Sequence, residues 1–409
     1  MKRMPVLFAF AVLAGCNSTG VEPETSASVA SIHEQALVLD AHADIEIPGN
    51  YSAYVGDDGL SQIAPQKMRQ GGVDAAVMTI GVSLVPRTPE GYEAARERAT
   101  KELNAVLALT AENDDFVLAT SPEELIAAKK ASQHALILGF QNAAILAKDA
   151  TEIDAFYAQG VRVFALTHLG HNAFADSSRP DFIKATGKHE PEAEHGGLSE
   201  LGREAVRRVN ALGGVLDVSQ LSKQATLELV ALSQAPVIAS HSNVRALTDV
   251  TRNLSDEEID AIALGGGVVH VSPFRGYLYD SNDPALDANI RAARRDAGIT
   301  EDYYYPFELY WEIEDKDVKN KFLGAVSALM GAGSIDALID HIDYIAKRVG
   351  IDHVGFGSDY NHGGGIAELQ DASEARNLTR RLLERGYSED DIRLFWGGNF
   401  LRVWQQADK

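Results

Sequence analysis

The feature that most constrains this chain is a recurring alternation of two patterns. Short apolar, β-branched runs are separated by longer amphipathic segments. Eight runs read as strands: 37–40, 75–80, 135–139, 161–166, 214–218, 236–239, 267–271 and 354–357. Segments such as 94–109, 201–211 and 335–348 carry helical periodicity. Strands that alternate with helices pair in parallel, and strands apolar along their whole length are buried on both faces. Eight such units between residues 31 and 405 predict one α/β domain, a (β/α)8 barrel of the TIM type. An open doubly wound sheet is the alternative, but no glycine-rich phosphate loop follows the first strand. Two insertions, 172–198 and 276–320, read as polar and loop-like.

In a parallel barrel the chemistry gathers at the C-terminal ends of the strands. The residues found there are His42 and Asp44, Gln141 and Asn142, His168, Ser219 and Gln220, His241, and Asp359. His42 and Asp44 are two apart, so on extended backbone they point the same way and can share one divalent cation. His241 and Asp359, at later strand ends, are candidates for the same centre. Asp359 could bind metal or accept a proton. An alternative role as a helix N-cap is disfavoured, because Tyr360, Asn361 and His362 do not read as a helix start. Loop histidines His171, His195 and His362, near strand ends, read as solvated, with service as further metal ligands the alternative, and His270 reads as a residue near the pocket.

The charge balance narrows the partners. A formal net charge of −22 over 409 residues repels phosphate backbones and argues against nucleic acid. The single cysteine, Cys16, rules out an internal disulfide and a cysteine nucleophile in the domain beyond it. No G-x-S-x-G elbow is present, which argues against a serine nucleophile.

Cys16 closes a segment with Lys2 and Arg3 ahead of an apolar stretch, the layout of an export signal. Leu13-Ala14-Gly15-Cys16 resembles the lipobox of bacterial lipoproteins, in which the cysteine is lipidated. Residues 1–16 are therefore expected to be a signal, 17–30 a small, polar tether, and 31–405 the barrel. Asn17, in place of an inner-membrane retention aspartate, favours attachment to the outer membrane, facing the periplasm.

The motifs as a set resemble the membrane (renal) dipeptidase family, peptidase family M19. LDAHAD (39–44), ALTHLGHNAFADSS (165–178), GLSELGREAVRRVNALGGVLDVSQLS (197–222), APVIASHSN (235–243), Arg252-Asn253, HVGFGSDY (353–360) and GYSEDDIRLFWGGNFLRVW (386–404) match family blocks in order. The resemblance implies a metal-dependent dipeptidase that uses zinc-activated water on small dipeptides, some carrying a D-residue, and relatives that often form homodimers. It implies that His42 and Asp44 bind a first metal with Asp359 as a further ligand or proton acceptor. It assigns His241 to a second metal, His168 to the scissile carbonyl and Arg252 to the free carboxylate of a peptide-like substrate.

Two positions depart from the family pattern. Gln141 stands where the family has the glutamate that bridges its metals, and Gln220 where it has a histidine for the second metal. Neutral amides are poor zinc ligands. Without a bridging carboxylate, two dications held about 3.5–4 Å apart repel each other. The expectation is one zinc ion per chain. The alternative is an altered member that binds or matures a peptide-like small molecule without dipeptidase activity. A third reading, hydrolysis of a lactone or phosphoester, is allowed by the fold.

Overall fold

The computed structural model of the chain describes residues 24–409 apart from 53, 184, 185, 187, 299–312 and 314. Cys16 and most of the expected tether lie outside the described residues. Helix Glu24–Gln35 takes up residues 24–30 of that stretch. Its residues Ile32 and His33 are buried, the ring of His33 bridging Thr379 Oγ1 and the Gly71 carbonyl. This anchorage makes helical a segment that looked too small and polar to pack.

The eight expected strands form in chain order: β1 (Leu39–Asp44), β2 (Ala75–Gly81), β3 (His134–Gln141), β4 (Val161–Ala165), β5 (Val215–Asp217), β6 (Ile238–Ala239), β7 (Val268–Val271) and β8 (Val354–Phe356). Each pairs in parallel with the next. The sheet returns on itself just beyond the strand ends. There Asp359 N donates to the His42 carbonyl at 3.0 Å and Asp44 N to the Tyr360 carbonyl at 2.9 Å. The result is a nearly closed eight-stranded parallel barrel ringed by helices.

Ser and Thr residues cap many of the helices. Ser199, for example, accepts from Gly202 N ahead of helix Glu200–Leu212, and Gly213 ends that helix at φ 83°, a region glycine enters without strain. Ala205, Val206 and Val209 of this helix are buried in the layer between helices and barrel.

The barrel interior is a separate apolar cluster. Leu39, Ala75, Val77, Ala135, Ile137, Val163, Val215, Ile238 and Val268 meet Phe400, Val403 and Trp404 from the C-terminal helix Asn399–Ala407. That helix plugs the lower mouth and runs two residues past the expected boundary at 405.

Some expectations need correction. Strand β1 extends to Asp44, because a bulge after Asp40 keeps Ala43 and Asp44 paired with Met78 and Thr79. His42 and Asp44 thus belong to the strand. A short strand, Phe116–Leu118, pairs in parallel with the first residues of β3, His134–Leu136. The insertions are not plain loops. The first holds the hairpin Phe182–Ile183/Lys188–His189, and the second holds helix Pro284–Asp296 and the start of Lys316–Met330. Both helices start on aspartate caps, Asp283 and Asp315.

Candidate active site

Strand periodicity explains how the site is built. Ala75, Val77 and Thr79 share one face of β2, as do Ala135, Ile137 and Gln141 on β3, and Val215 and Asp217 on β5. The lower members of each series are apolar and fill the barrel floor. The upper members are polar, so the same face that packs the floor carries the chemistry at the top.

His42, His241 and Asp359 converge there, all buried, with one potential ligand atom from each within 4.8 Å of the others. The two imidazoles stack at 3.7 Å and 23°. His42 Nε2 is 3.4 Å from Asp44 Oδ1 and 4.0 Å from Asp359 Oδ1. The other oxygen of Asp44 lies 2.8 Å from His362 Nδ1. Gln220 stands beside His241, Nε2 to Nε2 3.4 Å, and its carbonyl oxygen accepts from Arg179 Nη2. Gln141 is buried, and its Nε2 has no hydrogen-bond partner. Gln220 and Asp359 hold left-handed backbone, φ 72° and 57°, which costs a side-chain-bearing residue about 1 kcal/mol or more.

A layer beneath orients these groups. Asp217 Oδ1 accepts from the backbone of Ser219 and Ser240, and Oδ2 from Ser240 Oγ. Asp40 Oδ1 accepts from Ser358 N at 2.7 Å and His42 N at 3.2 Å, tying β1 to β8 directly under the site. Gly357 lets β8 come close to the end of β6, since a Cβ there would lie 1.8 Å from the Ser240 carbonyl oxygen.

Burial and charge set the protonation of the site. Burial works against a charged His42, but hydrogen bonding and charge from Asp44, with Asp359 and Asp217, raise its pKa. Burial works against the charge of Asp44 too, yet His362 and His42 hold its carboxyl well below the usual range. His362 is opposed by burial but is pushed up to about 8 by Asp44. Burial raises Asp359. It lowers His168 and His241 well below the ordinary value, reinforced by His362 and His42 respectively, and so keeps both rings neutral.

A chamber of about 220 Å³ opens above the centre, lined by Asp44, Gln141, His168, His362, Tyr54 and Arg98 among others. His168 is buried, edge-on to His362 at 5.0 Å, and its Nδ1 has no hydrogen-bond partner. Arg252 lies deeper. Its Nη1 donates to Ser242 Oγ at 2.8 Å, its Nη2 to the His241 carbonyl at 2.6 Å, and its guanidinium rests 5.1 Å from the Tyr277 ring centre.

The loop histidines are held by the fold, His171 buried and His195 and His362 partly exposed. His171 is buried with its ring between Ser177 N and the Pro191 carbonyl, and His195 reaches the Asn172 carbonyl. His362 belongs to the site. His270 points into the barrel, but toward the floor, with its Nδ1 at the Ala239 carbonyl and its ring against Phe400. Sequence reasoning missed Asp217, Ser240 and Arg179, and ranked His362 as a solvated loop residue ahead of a role in the site. The parity of Asp217 and Ser240 with the floor residues Val215 and Ile238 was a usable signal. Nothing local marked Arg179.

The donor set fits a divalent metal ion. Two imidazoles and a carboxylate converge, with Asp44 beside them and one of its oxygens, Oδ1, buried without a hydrogen-bond partner. Two neutral amides, those of Gln141 and Gln220, stand at neighbouring strand ends.

Comparison with known proteins bears on this centre. The model of the membrane dipeptidase family (peptidase family M19) matches residues 26–409. The crystal structure of the probable dipeptidase PvdM from Pseudomonas aeruginosa superposes with a TM-score of 0.81 at 34% identity, covering 94% of this chain and 98% of that one. Dipeptidase aclJ of Aspergillus oryzae is 29% identical over 268 residues, 65% of this chain and 50% of its own. Dipeptidase 3 of Homo sapiens is 25% identical over 380 residues, 91% of this chain and 65% of its own. The chain thus spans about half to two thirds of the length of these curated relatives.

Proposed function

The chain belongs to the membrane dipeptidase family, peptidase family M19, and from that premise we propose that it hydrolyses small dipeptides, including those ending in a D-residue, with a single zinc ion. The observation that carries this reading is the convergence of His42, His241 and Asp359 within 4.8 Å while glutamines occupy two further positions. His42, His241, Asp359 and Asp44 would hold the ion. When bound, it supplies Lewis acidity for amide cleavage.

The chain's own groups do the rest. Neutral His168, at the chamber wall, hydrogen-bonds the scissile carbonyl. Asp359, its pKa raised by burial, receives a proton and passes it to the leaving amine. Arg252 fixes the His241 carbonyl and, with Arg179, places positive charge beneath Tyr277 to attract the substrate carboxylate. The buried position of these groups excludes bulk water and strengthens each contact.

The test is metal content and dipeptide hydrolysis on one sample of purified protein. The reading expects about one zinc per chain and activity abolished by chelator. Two zinc ions per chain would overturn the single-ion centre. A metal-loaded protein that cleaves neither L,L- nor L,D-dipeptides would favour a second reading, that the chain binds or matures a peptide-like molecule without cleaving it. The observation behind that second reading is Gln220, whose amide is held by Arg179 beside His241.

We also propose that Cys16 carries a lipid that anchors the protein to the outer membrane on its periplasmic side. The Cys16→Ala protein is then expected in the soluble periplasmic fraction. Recovery of that variant with the membrane would reject the anchor.

A further inference from the structure

A second cavity opens beside the catalytic chamber, and it is larger. It measures about 550 Å³ against about 220 Å³ for the chamber. The two share Tyr54 and His362 in their walls, so they are adjoining parts of one cleft. The character of the lining changes from one to the other. Around the chamber it is carboxylate, amide and imidazole. In the second cavity it is largely apolar, built from Phe274, Tyr277, Leu323, Val326 and Met330, with Arg179 near the junction.

The second cavity has a built wall. Phe274 and Tyr277 stack at 4.2 Å and 21°. Tyr277, Phe322 and Val326 are buried in one apolar cluster with Ile290, which fixes helix Lys316–Met330 above the cleft. Arg275 Nη1 ties that helix down by donating to Ser327 Oγ at 3.2 Å and the Gly331 carbonyl at 3.1 Å. Gly363, at φ 127°, packs directly on this wall, since a Cβ there would lie 2.5 Å from the Phe274 ring and the neighbouring Gly364 pairs with Phe274. Leu323 stays 39% exposed at the rim.

We propose that this cleft is a substrate subsite for a bulky apolar side chain, aromatic by its fit to the Phe274–Tyr277 wall, on a peptide whose reacting bond lies in the catalytic chamber. The proposal rests on the peptidase-like reading of that chamber. The chamber alone is of a size for a small dipeptide. The combined cleft falls in the range of about 300–1,000 Å³ typical of sites that enclose larger ligands. Apolar walls favour apolar groups, and a stacked aromatic pair favours a further ring laid against it. The preferred substrate is therefore larger and more hydrophobic than alanyl-alanine.

The test uses two non-cleavable phosphinate mimics, one of Ala-Ala and one with a naphthylalanine side chain. Calorimetry measures their binding to the zinc-loaded wild type and to Leu323→Glu and Met330→Glu. The naphthyl mimic should bind wild type at least tenfold more tightly than the small one, and each variant should bring that ratio close to one. Equal binding of the two mimics in wild type, or a ratio unmoved by both variants, overturns the subsite, whereas no binding of either mimic overturns the peptidase-like reading and the subsite with it. The wild-type ratio decides even if a variant fails to fold. Because binding is measured instead of cleavage, loss of the hydrolytic reading and loss of the subsite give different results.

Discussion

Asp217 accepts a 2.5 Å hydrogen bond from Ser240 Oγ, and that hydroxyl oxygen lies 2.8 Å from His241 Nδ1 and 3.4 Å from His42 Nδ1. One buried carboxylate thus orients, through one hydroxyl, imidazoles from both sides of the metal centre. Partners of this kind fix the ring tautomer and are worth about 10–100-fold in metal affinity. Ser240→Ala should weaken zinc binding by about tenfold, read by competition with a chromophoric chelator. Unchanged affinity would remove Ser240 from the centre.

The two glutamines should limit metal stoichiometry. The double variant Gln141→Glu/Gln220→His returns a carboxylate and an imidazole to the second position. It is expected to bind about two zinc ions per chain by elemental analysis, against about one for wild type. Without metal it should melt below wild type, because the new carboxylate joins Asp44 and Asp359 in a buried site. Zinc should then raise its melting temperature by more than it raises that of wild type.

Glu102 offers a pH test at a carboxyl one layer out from Asp44. Burial, helped by the charge of Asp44, pushes the Glu102 carboxyl up to about 8, against the pull of Arg98 and the hydrogen bond from Gly81 N. A folded-state pKa above the unfolded value of 4.5 means that the folded chain holds the proton more tightly. Its contribution to stability is thus greatest below pH 4.5 and declines as pH rises toward 8. Glu102→Gln removes this dependence. The unfolding free energy of wild type minus that of the variant should fall by on the order of 4 kcal/mol between pH 4.5 and 8, measured by urea titration. A difference that stays flat across that range would show Glu102 to be ordinary.

Trp404 seals the barrel floor, fully buried against strand residues of the interior. Trp404→Ala should cost about 3–5 kcal/mol in urea unfolding, from lost burial and an unfilled cavity. A cost under about 1 kcal/mol would mean that the C-terminal helix is not the plug.

Much of this was legible beforehand, for a physical reason. All eight strands could be read because burial on both faces makes their sequences almost wholly apolar. His42, His241 and Asp359 could be read because strand parity and strand ends are local properties. The helix Glu24–Gln35 and the short strand Phe116–Leu118 could not, since each is stabilised by packing on distant segments more than by its own pattern. His362 looked like any loop histidine, because its partner Asp44 lies at the other end of the chain. Arg179 was hidden in the same way, with Gln220 and Tyr277 beside it only after folding.

The seam that closes the barrel is made by the site itself, through Asp359 N to the His42 carbonyl and Asp44 N to the Tyr360 carbonyl. A growing or threading chain therefore has no metal centre until its eighth strand docks against its first. Partial products that lack the last strand carry His42 and Asp44 but not the geometry that joins them to Asp359. Assembly of the ring is thus a checkpoint, and ion capture reports that the barrel has closed.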